Sequence, residues 1–354
     1  MRGMRTRLTD RLGLDLPLIQ APMAGVSTPA LAAAASRAGA LGSIAVGAAT
    51  DAAAERAIAE AMACCPGPLN VNVFTHPAPR RDADRERAWL ERLAPAFAEF
   101  GVKPPEALAA TYPTFDDRPA LLDALLTHRP AVVSFHFGLP DARAVRALKA
   151  AGVMLLLTVT SLAEARRAEA AGMDAVVAQG WEAGGHRGAF EPEHDRPLDT
   201  RALLAALRGR VAVPVIAAGG ITDGAAMAAA LAAGAAGVQL GSAFVACPES
   251  AAGAAHRAAM SHRPWQTVMT PAFSGRLARG IRNRFIDEFD AAESAVPDYP
   301  VAYDAAKRLA AAAVAGGCHD FDAMWAGASP VTLAGVGAED LIRQIAAQAE
   351  VGAG

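Results

Sequence analysis

Short apolar runs alternate with alanine-rich helical segments over most of the chain. The runs are almost continuously apolar, which is typical of strands that are buried on both faces of a parallel sheet. The predicted strands are Leu16–Gln20, Leu41–Ala45, Leu69–Phe74, Ala131–Phe135, Val153–Thr158, Asp174–Ala178, Val213–Ala217 and Gly237–Leu240. Because eight parallel strands joined by helices can close on themselves, the pattern predicts an α/β fold, specifically a (β/α)8 TIM barrel.

The segments between these runs carry signals for helix starts. Thr28-Pro29, Asp51, Pro140-Asp141, Ser161 and Asp223 each precede a stretch of helix-forming residues. Ser, Thr and Asp accept hydrogen bonds from the first free amides of a helix, and proline suits its first turn. The order of elements is therefore strand, helix, strand, as the barrel requires.

Two regions interrupt the alternation. Residues from about 75 to 118 form a longer, more charged and proline-bearing segment, which we interpret as an insertion after the third strand. From about residue 248 the strand pattern stops and helical segments dominate. We therefore predict a barrel domain over residues 1–247 and a C-terminal helical subdomain over residues 248–354, packed near the active site.

Composition narrows the class of protein. Of 354 residues, 53% are hydrophobic and 19% charged, so a large core is expected. The net charge of −3 argues against a nucleic-acid or anionic-membrane surface, and no apolar run is long enough to span a bilayer. The cysteines Cys64, Cys65, Cys247 and Cys318 lack metal-ligand spacing, which predicts reduced thiols, no metal site and a cytoplasmic protein. Alanine-rich helices can pack on the barrel or on a second copy, so monomer and homodimer both stay open.

The richest chemistry lies directly after the sixth predicted strand. There the run Gly180-Trp-Glu-Ala-Gly-Gly-His-Arg-Gly has too many glycines for a helix or a strand. Glycine lets backbone amides approach a ligand closely, and the imidazole of His186 can titrate near neutral pH. A barrel presents its catalytic loops at this end of its strands. We predict a catalytic loop, with a tight turn carrying an incidental surface histidine as the alternative.

Other loops reach the same rim. The third strand contains Asn70 and Asn72, of which we expect only one to face inward, where a flat heteroaromatic ring would supply a partner for its amide. After the seventh and eighth strands come Ala218-Gly-Gly-Ile and Gln239-Leu-Gly-Ser, each followed by a helical segment. Glycine loops at these two strands form the usual phosphate site of the barrel, although isolated glycine pairs often serve only tight turns.

The combination of motifs resembles the nitronate monooxygenases, an FMN-dependent family formerly called 2-nitropropane dioxygenases. The matching motifs are Gln20-Ala-Pro-Met-Ala-Gly-Val, Asn70-Val-Asn-Val-Phe, Ala178-Gln-Gly-Trp-Glu-Ala-Gly-Gly-His-Arg-Gly, Ala218-Gly-Gly-Ile, Gln239-Leu-Gly-Ser and Phe273-Ser-Gly-Arg-Leu-Ala-Arg. The resemblance implies that His186 is the catalytic residue. It also implies that the barrel over residues 1–247 is the FMN-binding domain. The residues implied to bind FMN are Pro22, Met23, Ala24, Asn72, Gln179, Gly184, Gly185, Gly219, Gly220, Gln239, Leu240, Gly241 and Ser242.

A second group of candidates lies in the C-terminal part. Tyr299, Tyr303 and Lys307 are spaced by four, so in a helix they share one face. By pattern alone this face could equally border solvent, but the resemblance places it at the substrate pocket. His136, after the fourth strand, either lines that pocket or has a structural role.

Two further charged residues keep open roles. Glu182 could ionise near the site or fix its own loop by accepting backbone hydrogen bonds. Arg276 could contact a phosphate or brace its loop.

The function implied by the resemblance is oxidation of alkyl nitronates by O2 to a carbonyl compound and nitrite. Propionate 3-nitronate is a candidate substrate, and neutral nitroalkanes are a second class to test. The alternatives are an NAD(P)H-dependent barrel flavin reductase, acting on quinones or enoyl thioesters, and a flavin-binding barrel without turnover. The wording of the His186 loop and of the segment after Phe273 favours the monooxygenase.

Overall fold

The computed structural model of the protein describes residues 4–261, 265–331 and 335–352. Strands in this part of the chain are β1 Leu18–Gln20, β2 Gly42–Ala45, β3 Leu69–Phe74, β4 Val132–His136, β5 Met154–Val159, β6 Ala175–Gln179, β7 Gly185–His186, β8 Val215–Ala218, β9 Gly237–Leu240, β10 Thr267–Thr270 and β11 Ala278–Ile281. Eight of them pair in parallel in the order β1-β9-β8-β6-β5-β4-β3-β2. All eight strands predicted from the apolar runs are present, with ends shifted by a few residues.

A short contact joins the two ends of this sheet. Ile19 of β1 and Leu41, next to β2, form a parallel bridge, and the amide of Gln20 donates to the Leu41 carbonyl at 2.9 Å. The sheet therefore closes around an interior, and the predicted TIM barrel is confirmed.

Helices surround the barrel and continue into the C-terminal part. They are α1 Arg7–Leu12, α2 Pro29–Arg37, α3 Asp51–Cys64, α4 Ala83–Glu99, α5 Pro119–His128, α6 Ala142–Ala150, α7 Leu162–Ala170, α8 Thr200–Leu207, α9 Gly224–Ala232, α10 Ser242–Val245, α11 Ala254–Ser261, α12 Arg284–Phe289, α13 Ala302–Ala315 and α14 Ala338–Gly352. Among the described residues, none of these helices has both the length and the apolar character needed to cross a bilayer.

The helix starts follow the signals in the sequence. Thr28, Asp141, Ser161 and Asp223 are N-caps whose side chains accept from a backbone amide of the first turn. Asp51 instead occupies the first helical position, and the neighbouring Thr50 is the cap. These caps end each loop at a defined residue, so the loops above the barrel start from a fixed framework.

The barrel interior is filled at its amino end. Leu8 of α1 is fully buried with Ile19, Leu41, Met154 and Ile216 in one apolar cluster. The helix thus closes the barrel where the strands begin. Ligand space is left at the opposite, carboxyl end.

The insertion and the C-terminal part build a second apolar cluster. Helix α4, from the predicted insertion, contributes Trp89 and Phe97, and it packs with α12 and α13. The last helix, α14, packs instead against α2 and α9 on the outside of the barrel. The C-terminal residues therefore contact both the barrel and the inserted helix.

One part of the C-terminal region is not helical. Strands β10 and β11 form an antiparallel pair, and β11 also pairs with β7, which contains His186. The helical pattern predicted after residue 248 is therefore incomplete. Four-residue strands paired over long sequence distances leave little local periodicity to detect.

Candidate active site

A cavity of about 840 Å³ opens at the carboxyl ends of the barrel strands. Loops after β1, β3, β4, β6, β8 and β9 line it, together with α13 and residues 319–329 of the C-terminal part. All residues predicted for catalysis, cofactor or substrate line this cavity except Leu240. The prediction that Leu240 belongs to the cofactor site is corrected here. Its side chain is 1% exposed and packs in the apolar core between strands and helices.

The backbone of His186 is fixed from several sides. His186 lies opposite Ala278 in the β7–β11 pair. Its carbonyl accepts from Nε2 of Gln179 at 2.9 Å, and Oε1 of Gln179 accepts from the amide of Gly188 at 2.8 Å. Gln179, predicted as a flavin contact, therefore uses its amide group to hold the His186 loop, while still bordering the cavity.

The imidazole of His186 is enclosed by aromatic rings. Its Nε2 lies 2.9 Å from Oγ of Ser274. The ring centroids nearest to it are those of Trp325 at 5.2 Å, Tyr299 at 5.5 Å, Phe137 at 5.7 Å and Tyr303 at 5.8 Å. Burial, then the neighbouring His136 and Arg276, lower the pKa of His186 to about 3. The imidazole is therefore neutral at physiological pH.

His136 lines the same cavity one strand away. Its Nε2 lies 3.2 Å from the carbonyl oxygen of His186, and its ring packs 4.5 Å from the Phe137 ring. Burial lowers the pKa of His136 to about 4. A neutral His136 can donate to the His186 carbonyl, so its observed contact is with the backbone of the His186 loop.

The two asparagines of β3 both face inward. Nδ2 of Asn72 donates to Oγ of Ser134 at 3.0 Å, and Nδ2 of Asn70 donates to Oγ of Ser43 at 3.1 Å. The expectation that only one would face inward is wrong, since residues two apart in a strand share a face. Asn72 lines the cavity, whereas Asn70 does not.

Glycine loops after β8 and β9 leave backbone donors available. Gly219 and Gly220 have φ of 115° and 70°, which favours glycine. The amides of Gly220 and Ser242 donate to no other residue in the described part of the chain. The side-chain oxygen of Ser242 already accepts a hydrogen bond from the amide of Gly327 at 2.8 Å. A second hydroxyl, that of Ser329, lies beside Gly220 in the cavity wall.

Two amides in the first turn of α9, the helix after β8, already have hydrogen-bond acceptors. At the start of α9, Asp223 accepts from the amide of Ala226 at 2.8 Å, and Gln348 of α14 accepts from the amide of Gly224 at 3.0 Å. The free donors for an anion are thus the Gly220 amide in the loop after β8 and the Ser242 amide at the start of α10, rather than the start of α9.

Glu182 and Arg276 stabilise loops. The Glu182 carboxylate accepts from the amide of Thr200 at 3.0 Å, which ties its loop to α8. Arg276 is 3% exposed, its Nη2 donates to the Ala189 carbonyl, and its guanidinium lies 4.6 Å from the centre of the Phe137 ring. Burial lowers the pKa of Arg276 to about 10, so it stays a cation behind the cavity wall.

The predicted Tyr-Tyr-Lys face reaches the cavity by a different route. Helix α13 begins at Ala302, so Tyr299 precedes it, and the prediction that all three residues share a helix is wrong. The three side chains nevertheless line one cavity, where Nζ of Lys307 donates to Oη of Tyr112. Burial raises the pKa of the Tyr303 hydroxyl above its ordinary value, so the hydroxyl stays protonated and can donate.

Sequence reasoning missed three residues at this site. Tyr112 comes from the insertion, Trp325 from the C-terminal part, and Ser274 from the loop before β11. Ser274 lies within the recognised Phe273-Ser-Gly-Arg motif, which was the one available signal. The other two had no local signature.

Comparisons with known proteins match the chain over nearly its whole length. The sequence profile of the nitronate monooxygenase family matches residues 5–348. A nitronate monooxygenase of Pseudomonas aeruginosa is 52% identical, covering 97% of this chain and 98% of that protein, and one of Paraburkholderia phytofirmans is 49% identical, covering 96% and 93%. The crystal structure of a nitroalkane oxidase from Streptomyces ansochromogenes superimposes with a TM-score of 0.88 at 37% identity, covering 98% of each chain.

Proposed function

The chain belongs to the nitronate monooxygenase family, and from this we propose that it is an FMN-dependent enzyme that oxidises alkyl nitronates. O2 is the proposed oxidant, and a carbonyl compound and nitrite are the products. The observation that carries the proposal is the convergence of the His186 loop and the two glycine loops on one cavity. We place the enzyme in the cytoplasm, as a monomer or homodimer.

The donor set suits a flavin mononucleotide. The amides of Gly220 and Ser242, with Ser329 beside them, can hold one phosphate, while Asn72 and the Pro22–Ala24 turn border the space for a ring system. A volume of about 840 Å³ accommodates a cofactor and a small substrate together. When bound, the flavin supplies the electron transfer, and the protein orients the substrate and places charges around it.

The protein's own residues then divide the work by substrate. Neutral His186 can take the acidic α-proton of a nitroalkane, leaving its electron pair on the nitronate. A nitronate has already lost that proton and needs donors for its oxygens. The hydroxyl of Tyr303, whose ring lies 5.8 Å from that of His186, and the ammonium of Lys307 can provide them in the same cavity.

The test of this proposal is the identity and reactivity of the bound cofactor. Flavin released from the purified protein should be FMN, and anaerobic mixing with a nitronate should bleach it much faster than NADH does. FAD, or an apoprotein that FMN cannot reconstitute, would contradict the cofactor. Rapid bleaching by NADH would instead support the flavin reductase.

The depressed pKa of His186 predicts a flat acidic region in the pH profile. The value of kcat/KM reports ionisations of the free enzyme. An ordinary histidine gains its proton between about pH 8 and pH 5, but kcat/KM for a neutral nitroalkane should stay constant over that range. We expect kcat/KM to fall near pH 3, where His186 gains its proton. Steady-state rates with freshly dissolved nitroalkane measure this, and a midpoint close to the ordinary histidine pKa would contradict it.

Lys307 is expected to select carboxylated nitronates. Replacing Lys307 with Met should raise KM for propionate 3-nitronate about tenfold, because one charge-assisted hydrogen bond to the carboxylate is lost. The same substitution should raise KM for ethylnitronate much less. Lys149→Met is the matched control, since Lys149 pairs with Asp174 away from the cavity. Equal increases for both substrates would show that the charge is not used for the carboxylate.

A further inference from the structure

Ser274 makes the polar contact to the His186 imidazole. Its side chain is 1% exposed, and its Oγ lies 2.9 Å from Nε2 of His186. The same oxygen lies 3.1 Å from the Arg276 carbonyl and 3.3 Å from the Arg276 amide nitrogen. Three contacts converge on one buried hydroxyl, which has one proton to donate and two lone pairs to accept with.

The directions of these three hydrogen bonds follow from the chemistry of the partners. The Arg276 carbonyl can only accept, the Arg276 amide can only donate, and the imidazole nitrogen can do either. In the described part of the chain, the Arg276 carbonyl accepts from no donor except Ser274. All three contacts are satisfied when the hydroxyl donates to that carbonyl and accepts from an Nε2–H group of His186.

The loop keeps the hydroxyl in place. The amides of Ser274 and Gly275 both donate to the Pro271 carbonyl, at 3.1 and 2.7 Å. Gly275 has φ of 87°, and a Cβ there would lie 2.0 Å from the Pro297 carbonyl oxygen. Strand β11 begins shortly after this loop and pairs with β7, so Ser274 and His186 are held by one small sheet.

We propose that Ser274 is a positioning residue that holds His186 in its Nε2–H tautomer and leaves the Nδ1 lone pair to take the substrate proton. Nδ1 contacts no hydrogen-bond partner among the residues that the structure describes, and His186 lines the cavity. The inference rests on the proposed role of His186.

The proton balance is simple. The α C–H bond of the nitroalkane breaks, its electron pair stays on the nitronate, and the proton goes to Nδ1. The Nε2–H···Oγ bond then becomes charge-assisted, which strengthens it. The titratable groups around the His186 imidazole are those of His136, Arg276, Tyr299 and Tyr303. Of these four, only Arg276 carries a charge. Since that charge opposes protonation, Ser274 is the neighbour that favours it.

Nitrogen-15 NMR of the histidine-labelled holoenzyme tests the tautomer without relying on activity. The wild-type spectrum should show His186 with a protonated Nε2 and an unprotonated Nδ1, assigned by its loss in His186→Asn. In Ser274→Ala this pattern should change to a mixture of both tautomers. A wild-type spectrum with the proton on Nδ1 would overturn the proposal, and this measurement needs no variant of Ser274.

Kinetics supply the second readout. Ser274→Ala should lower kcat for a neutral nitroalkane about 10- to 100-fold, as expected for a lost hydrogen bond to a charged group, and change nitronate turnover little. Ser274→Thr, which keeps the hydroxyl, should restore most of the rate. Ser36→Ala is the control, because it removes a hydrogen bond to the Gly67 amide far from the cavity.

The outcomes separate the two proposals. Unchanged nitroalkane kcat and an unchanged NMR pattern in Ser274→Ala would overturn the role of Ser274, even if His186→Asn is inactive. Full nitroalkane turnover in His186→Asn would instead refute the proposed function of His186, whatever tautomer the spectrum shows.

Discussion

Replacing His186 with Asn is expected to lower kcat for a neutral nitroalkane by about 10²–10⁴-fold, the usual contribution of a positioned base. Turnover of the matching nitronate should fall much less, because that substrate arrives without the α-proton. The neutral imidazole, with its Nε2 directed at Ser274, contributes little to binding an anion. Paired assays of nitroethane and ethylnitronate, with FMN content measured for each preparation, test this difference.

The control is a histidine on the surface. His194→Asn makes the same chemical change at a side chain that is 74% exposed, and it should leave both rates unchanged. Equal losses on both substrates in His186→Asn would reduce His186 to an electrostatic anchor. Loss on neither substrate would mean that the site lies elsewhere.

Replacing Arg187 with Met is expected to lower the free energy of unfolding by about 3–5 kcal/mol, the cost of leaving a buried charge without its partner. The side chains of Arg187 and Asp195 are 2% and 3% exposed and form two hydrogen bonds at 2.8 and 3.0 Å. The guanidinium also donates to the carbonyls of Gln179 and Gly180, where the His186 loop begins. Urea unfolding of the FMN-saturated protein measures the loss.

Arg167→Met provides the comparison for that measurement. Arg167 pairs with Glu191 at 2.7 Å, but both side chains are about half exposed, so the expected loss is at most about 1 kcal/mol. Similar losses in the two variants would show that burial does not determine the strength of the Arg187 pair.

The sequence was most informative where structure is local. Apolar runs and N-caps such as Ser161 and Asp223 identified the eight barrel strands and the helix starts, because these patterns depend on neighbouring residues. Strands β10 and β11 were missed, since each is short and its partner is distant in the sequence. Tyr299 was placed in a helix because its spacing of four matched one, although α13 starts at Ala302.

The same division holds at the candidate site. The His186 loop and the glycine loops after β8 and β9 were recognisable, because glycine content and order along a barrel are local signals. The partner that orients the imidazole, Ser274, is 88 residues away in the chain. Trp325 is farther still, and pairing across such distances depends on tertiary packing that no motif encodes.

The most direct test of the central claim is simultaneous measurement of O2 consumption and nitrite release from a nitronate by the FMN-loaded protein. Ethylnitronate is expected to consume O2 and release nitrite without any added NADH. Nitroethane is expected to do so only when His186 is intact. No nitrite from either substrate, together with rapid NADH-dependent reduction of a quinone, would contradict the account and establish the flavin reductase instead.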